Sequence, residues 1–326
     1  MVIIIMPSLI LTKWDVEDAV YVPAGVVSNL QNYHLAGIRF LYDCYQNRLK
    51  GGILNHDVDM NFPAQVSAFF TALKKEIQVA SPALIICSEN RFLKWLYHLK
   101  IYGNFTVHCP KECISEDIKE GIIMTSIHQT KVLQNLVERN FSFIVIEEFD
   151  LVSNKRIFKQ LRGDFHIGLT THNFIKEPNQ KVFFEMINWT NPGVLGKFSQ
   201  FCKDNIEHLQ NFRWPYEKYW HRLTWNFCDT FTRPTVEEKK EYVERIKLWA
   251  KQEKVEINLS MHENIPKKRK YKKTQTKTEQ KEMQKAPFTS SDSSNDVVET
   301  LGKKTNIRRK KRKVTPNKHV KEKPEA

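Results

Sequence analysis

Short apolar runs recur along the first half of this chain, several of them separated by stretches with helical spacing. They are Ile53-Leu54, Pro82-Ala-Leu-Ile-Ile-Cys87, Phe105-Thr-Val-His108, Gly121-Ile-Ile-Met-Thr125, Phe141-Ser-Phe-Ile-Val-Ile146 and Phe165-His-Ile-Gly-Leu-Thr170. A strand with one wet face alternates apolar and polar residues. A run without that alternation is covered on both faces. Between the runs, apolar residues fall on one helical face from Asn29 to Leu49, from Ala64 to Ile77 (Val66, Phe69, Phe70, Leu73), through Phe92, Trp95, Leu96 and Leu99, and from Val132 to Arg139. Strand alternating with helix, in strands this apolar, predicts an α/β fold: a parallel sheet with helices on both faces.

Charge is distributed unevenly. Of 51 Lys/Arg and 37 Asp/Glu, residues 260–326 carry 20 and 8, leaving 31 and 29 for everything before. The basicity therefore belongs to a tail, in which apolar periodicity stops and Lys, Thr, Gln and Ser dominate. Such a segment buries too little surface to fold alone. A basic tail on a near-neutral body points to nucleic acid as partner, since neither a lipid-anchor motif nor a basic amphipathic helix accompanies it. The apolar start, Met1 to Leu11, is too short to span a bilayer and lacks a basic leader, so it reads as a packing segment and no membrane is expected. Six scattered cysteines (44, 87, 109, 113, 202, 228) in a chain this long favour reduced thiols.

Several short stretches stand in a telling order. Asn29-Leu-Gln-Asn-Tyr-His-Leu-Ala-Gly-Ile-Arg-Phe-Leu41 comes first, then Gly51-Gly-Ile-Leu-Asn-His-Asp-Val-Asp-Met-Asn-Phe-Pro-Ala-Gln-Val66. Ile144-Val-Ile-Glu-Glu-Phe-Asp150 and Ile187-Asn-Trp-Thr-Asn-Pro-Gly-Val-Leu-Gly196 follow. In this order and at these separations they resemble the first motor lobe of the Swi/Snf-type chromatin-remodelling ATPases, a branch of superfamily 2 helicases. The resemblance covers roughly Val22 to Asp204 and implies a RecA-like lobe. It also implies where a nucleotide would sit.

A working phosphate loop needs glycines for close backbone approach, a Lys for the outer phosphates and a Ser/Thr hydroxyl for magnesium. Laid without a gap on Asn55 to Gln65, the family's two glycines fall on Asp59 and Asn61, its Lys on Phe62 and its Thr on Pro63. The flanking Gly51-Gly52-Ile53-Leu54 and Gln65-Val66 still match. The family's Asp-Glu-Ala-His stands here as Glu147-Glu148-Phe149-Asp150, its Tyr-Gln as Tyr33-His34, and of its Ser/Thr-Gly-Thr-Pro only Thr170 is kept. The remnant nucleotide site is therefore Gly51, Gly52, Asp59, Asn61, Phe62, Pro63, Glu147 and Glu148. With cation and hydroxyl gone, and a second lobe absent from the sequence, these changes predict no turnover and no bound cofactor. On that expectation the chain is a pseudo-ATPase scaffold holding an unidentified protein partner. The rivals are an ATP-binding, DNA-dependent ATPase that uses magnesium, and one fragment of a longer protein.

Other constellations are weaker. His108-Cys109-Pro-Lys-Glu-Cys113 offers three soft ligands without a fourth, so no metal is expected. Phe198, Phe201, Phe212, Trp214, Tyr216, Tyr219, Trp220, Trp225, Phe227 and Phe231 read as core of a helical extension over 205–259. Thr235 with Glu238 three residues on forms a capping box behind Pro234, and Val236, Val243, Ile246 and Trp249 give the helix after it an apolar stripe. In the tail, Lys267, Lys268, Arg269 and Lys270 form one cationic cluster and Arg308, Arg309, Lys310, Lys311, Arg312 and Lys313 another. Both read as nuclear import signals for an import receptor, and together as a sequence-tolerant DNA or chromatin contact. Thr289 to Asp296 between them suits acidic-directed phosphorylation. The domain division expected is thus 1–20, a packing segment; 21–204, the RecA-like lobe; 205–259, the helical extension; and 260–326, the basic tail.

Overall fold

Seven parallel strands organise the computed structural model, which describes residues 8–12, 19–75, 81–110, 118–174, 176–204, 216–225 and 233–255. A two-residue pair comes first, β1 (Leu9–Ile10) against β2 (Tyr21–Val22), antiparallel. The large sheet then uses β3 (Gly51–His56), β4 (Ala83–Cys87), β5 (Val107–His108), β6 (Ile122–Ser126), β7 (Asn140–Glu147), β8 (Arg162–Thr170) and β9 (Trp220–Leu223). Their spatial order is β5-β6-β4-β7-β8-β3-β9, every pairing parallel.

The apolar runs explain the layering. Successive strand residues point to opposite faces, so Leu54, Ile85, Val145 and Ile167 join one core while Ile53, Leu84, Ile144 and Ile146 join the other. The first core is covered by α2 (Asn32–Gln46), α3 (Phe62–Ala72) and α4 (Phe92–Gly103), which follow a short α1 (Ala24–Val27). The second is covered by α5 (Thr130–Leu136), α6 (Arg156–Gln160), α7 (Gln180–Thr190) and α8 (Phe198–Asp204). β3, β4 and β6 are buried along their whole length. The expected α/β sheet, covered on both faces, is what forms.

The Asn-Pro-Gly stretch has a clear job. Asn191 Nδ2 donates to the Gly51 carbonyl at 2.9 Å and Asn191 Oδ1 accepts from the Lys50 amide at 3.1 Å, fixing the start of β3. Gly51 itself faces β8 so closely that a Cβ would stand 2.1 Å from the His166 carbonyl oxygen.

One expectation is corrected here. Residues 205–259 were expected to be helical, yet Trp220–Leu223 forms β9 and extends the sheet beside β3, with Ile53 paired to Trp220 and His56 to Leu223. Four residues with one buried Trp carry no strand period, and the free edge of β3 decides their conformation. The sheet therefore runs past Asp204. The capped helix does form, as α9 (Val236–Gln252): Glu238 N donates to Thr235 Oγ1 at 3.1 Å and Thr235 N to Glu238 Oε2 at 2.7 Å. Among the described residues, no helix is long and apolar enough to cross a membrane. Phe212, Trp214, Phe227, Phe231, Cys113 and both tail clusters lie outside the described residues.

Candidate functional site

Parallel strands gather their loops at their carboxyl ends, and ligands of such sheets bind there. β3 ends at His56 and α3 starts at Phe62, so residues 57–61 form a strand-to-helix loop. Asp59 (φ 79°) and Asn61 (φ 49°) both adopt the left-handed conformation, at the two positions where the gapless alignment places glycines. Asp and Asn are the non-glycine residues that tolerate it. The loop keeps a glycine-type backbone without glycine. Gly51 and Gly52 lie at the opposite end of β3, roughly 20 Å away at 3.3 Å per residue, and serve packing instead.

The polar side chains of this loop are all engaged. Phe62 is buried with its ring 5.6 Å from His56 and nearly parallel to it. Pro63 sits in the first turn of α3, where its missing N–H leaves no helical bond unmade. Neither offers a cation or a hydroxyl. Asp57 receives Arg222 at 2.9 Å and the Trp225 amide at 3.1 Å, tying the loop to β9 and the residues after it.

At the end of β7, Glu147 is 1% exposed. Trp95 Nε1 donates to its Oε2 at 2.8 Å and Arg91 Nε stands 3.2 Å from its Oε1. The Glu147 charge raises the Arg91 pKa further. Glu148 is left-handed (φ 56°) and starts the short turn Phe149–Leu151, whose Phe149 ring fills the core. Asp150 accepts from Thr170 Oγ1 at 2.6 Å, so the acidic stretch and the one kept residue of the coupling motif meet directly.

Over this end of the sheet lies α9. Lys239 Nζ is 2.8 Å and Arg233 3.2 Å from Asp59 Oδ2. Burial pushes the Asp59 carboxyl up, but hydrogen bonds and charge from Lys239 and Arg233 outweigh it and hold it below the usual range. Tyr242 Oη is 2.6 Å from His98 Nε2 and 3.2 Å from Asn61 Nδ2. Lys94 Nζ lies over the Tyr242 ring, 5.6 Å from its centre, and Tyr97 packs edge-on against Trp249. Burial lowers the Lys94 pKa, with Arg91 adding to the effect. Burial likewise holds His98 and His34 down to about 3, so both are neutral rings at pH 7. Beneath α9 remains a cleft of about 250 Å³ lined by Tyr33, His34, Asn61, Arg91, Lys94 and Tyr242 among others.

The structure thus brings Asp59, Asn61, Phe62 and Pro63 to one cleft. Arg91, Lys94, Trp95, His98, Arg233, Lys239 and Tyr242 join the surroundings without any signal in the sequence. The capping box at Thr235 and the apolar stripe after it announced the helix, and they said nothing of where the helix docks. A magnesium-bound triphosphate does not fit these residues as seated: Asp59 already holds two cations, positions 62 and 63 supply nothing, and Tyr242 closes over Lys94.

Comparison with known proteins decides the architecture. The Sulfolobus solfataricus SWI2/SNF2 ATPase core in complex with double-stranded DNA superposes with a TM-score of 0.52 at 21% identity, over 71% of this chain and 55% of that one. The same organism's SWI2/SNF2 ATPase core domain also gives 0.52, at 22% identity, over 68% and 51%. The fold is the one these SWI2/SNF2 ATPase cores share over the superposed region. In sequence the lobe is similar to Switch 2 of Arabidopsis thaliana, 23% identical over 211 residues, and to DNA repair and recombination protein RAD54B of Gallus gallus, 25% over 222. These matches take in 56% and 60% of this chain but 24% of each relative, so the chain spans about a quarter of their length. No protein-family model matches it.

The expectation that the chain is not an enzyme is corrected by these likenesses. The solved structures that share its lobe are ATPase cores. With only a quarter of the relatives' length in hand, a second lobe missing from this sequence is no argument against activity.

Proposed function

We propose that this Swi/Snf-type lobe works on duplex DNA in the nucleus, as part of a chromatin- or repair-associated protein. The single observation that carries the reading is the joining of a motor-lobe fold to a tail holding 20 of the chain's 51 Lys/Arg. Lys267–Lys270 and Arg308–Lys313 would be read by an import receptor and would grip DNA through phosphates alone. A solved structure of the same fold was determined with double-stranded DNA, and one relative is a DNA repair and recombination protein, which supports the choice of partner. The lobe itself would dock a protein partner.

Binding that comes from lysine and arginine displacing counterions weakens linearly on a log–log salt plot, with a slope of about −0.9 per phosphate neutralised on duplex DNA. Fluorescence anisotropy of the full chain with unrelated duplexes should give one affinity for all sequences. Replacing Arg308, Arg309, Lys310, Lys311, Arg312 and Lys313 by Ala should flatten the slope by about 3 to 5. Affinity that ignores both salt and these residues refutes the reading.

A further inference from the structure

The helix α9 covers the cleft with little apolar contact to hold it there. Among its described residues Ile246 alone is buried, while Val236 is 61% and Leu248 58% exposed. A helix fixed by a core buries a full apolar stripe, each large side chain stabilising by about 1.5–3 kcal/mol. Here the attachment rests on one fully buried side chain, the half-buried Val243 and Trp249, the ring contacts and hydrogen bonds of Tyr242, and two ion pairs to Asp59. Elements held this way open well before the rest of a domain does.

The ion pairs are exposed to competition. The side chains of Arg233, Lys239 and Asp59 are 59%, 37% and 28% exposed, and such pairs contribute modestly and are screened by salt. Arg233 and Lys239 stand on the same stretch of chain that leads into the basic tail. Beneath the helix wait cations of a different kind. Lys94 has no carboxylate within ion-pair distance among the described residues, and the Tyr242 ring lies over its ammonium group. Arg91 and the left-handed loop lie beside it.

We propose that α9 is a strap latched over the cleft by Asp59, and that duplex DNA releases it by competing for Arg233 and Lys239. This release rests on the DNA-binding reading above. The Asp59 carboxylate occupies, for these two cations, the place a DNA phosphate would take. When the strap lifts, Tyr242 leaves His98, Asn61 and Lys94, and the cleft gains an open mouth lined by Lys94 and Arg91. DNA engagement and cleft access are then one event.

Amide hydrogen exchange over 236–252 in the full chain tests this directly. Adding a short duplex should speed exchange of the helix about fivefold or more, and Asp59→Asn should do the same without DNA. Asn tolerates the left-handed backbone, so this variant keeps the loop. Arg233→Ala with Lys239→Ala should match it from the strap side, and combining all three should add nothing further, as partners in one latch do. Unchanged exchange in Asp59→Asn and in Arg233→Ala/Lys239→Ala overturns the latch. DNA that binds by anisotropy yet leaves the helix protected overturns the release and spares the DNA-binding reading. A chain that binds no DNA overturns both.

Discussion

Acidification should unfold this lobe in a range where most domains are at their most stable, because it buries several histidines as neutral rings, His34 and His98 among them. His34 and His98 are 4% and 3% exposed, and burial lowers each from 6.5 to about 3. In the unfolded chain both take up protons below about pH 6.5, whereas in the folded lobe they refuse them until about pH 3. The unfolded state binds more protons across that window, so stability is complete above about pH 6.5 and falls as pH drops. From pH 7 to pH 5 each ring costs about 2 kcal/mol, at 1.4 kcal/mol per pH unit once titration is under way, or about 4 kcal/mol together. Against a typical domain stability of about 5–15 kcal/mol this is large, and it should move a urea midpoint by about 1–2 M. Burial lowers His56, His166 and His221 as well, so a slope remains without the first two. The measure is the difference between wild type and His34→Gln/His98→Gln. Urea curves at pH 7 and pH 5 should show the variant losing roughly half as much. Equal losses in the two proteins would mean the rings are not held neutral, and the reasoning fails.

Two further outcomes follow from single contacts. Gly51→Ala should destabilise by about 2–3 kcal/mol in urea denaturation, because its Cβ would meet the His166 carbonyl of the neighbouring strand at 2.1 Å and backbone cannot step aside. Trp95→Phe keeps the ring but strips Glu147 of its 2.8 Å indole donor, leaving a buried carboxylate oxygen short of a partner. A loss of about 1–3 kcal/mol is expected, read as a lower thermal midpoint.

The sheet was legible because its strands are apolar on both faces. Ile85 and Ile86, or Ile144 and Val145, cannot be satisfied except between two helical layers, and the structure puts neighbouring residues in opposite cores. The resemblance marked where the loop lies, but its left-handed conformation was not legible, since nothing local in Asp-Val-Asp-Met-Asn demands that Asp59 and Asn61 adopt positive φ. β9 was hidden. Trp-His-Arg-Leu has no period of its own, and it becomes a strand because β3 offers an unpaired edge. The surroundings of the cleft were hidden for a related reason. Glu147 meets Trp95 and Arg91, and Asp59 meets Lys239, across sequence separations that no spacing rule reaches.

β9 also sets a timetable. Ile53 pairs with Trp220, and the Ile53 amide bonds the Tyr219 carbonyl at 2.9 Å. At about 5–20 residues per second, a ribosome delivers Trp220 on the order of ten seconds or more after Ile53. Throughout that interval β3 shows a bare edge of unpaired backbone N–H and C=O groups beside the forming cleft, the kind of template on which nascent chains associate wrongly. Among the described residues the last strand to emerge is therefore the one that seals the sheet. Any truncation or stall before it leaves a nearly complete lobe with an open seam, a substrate for chaperones rather than for DNA.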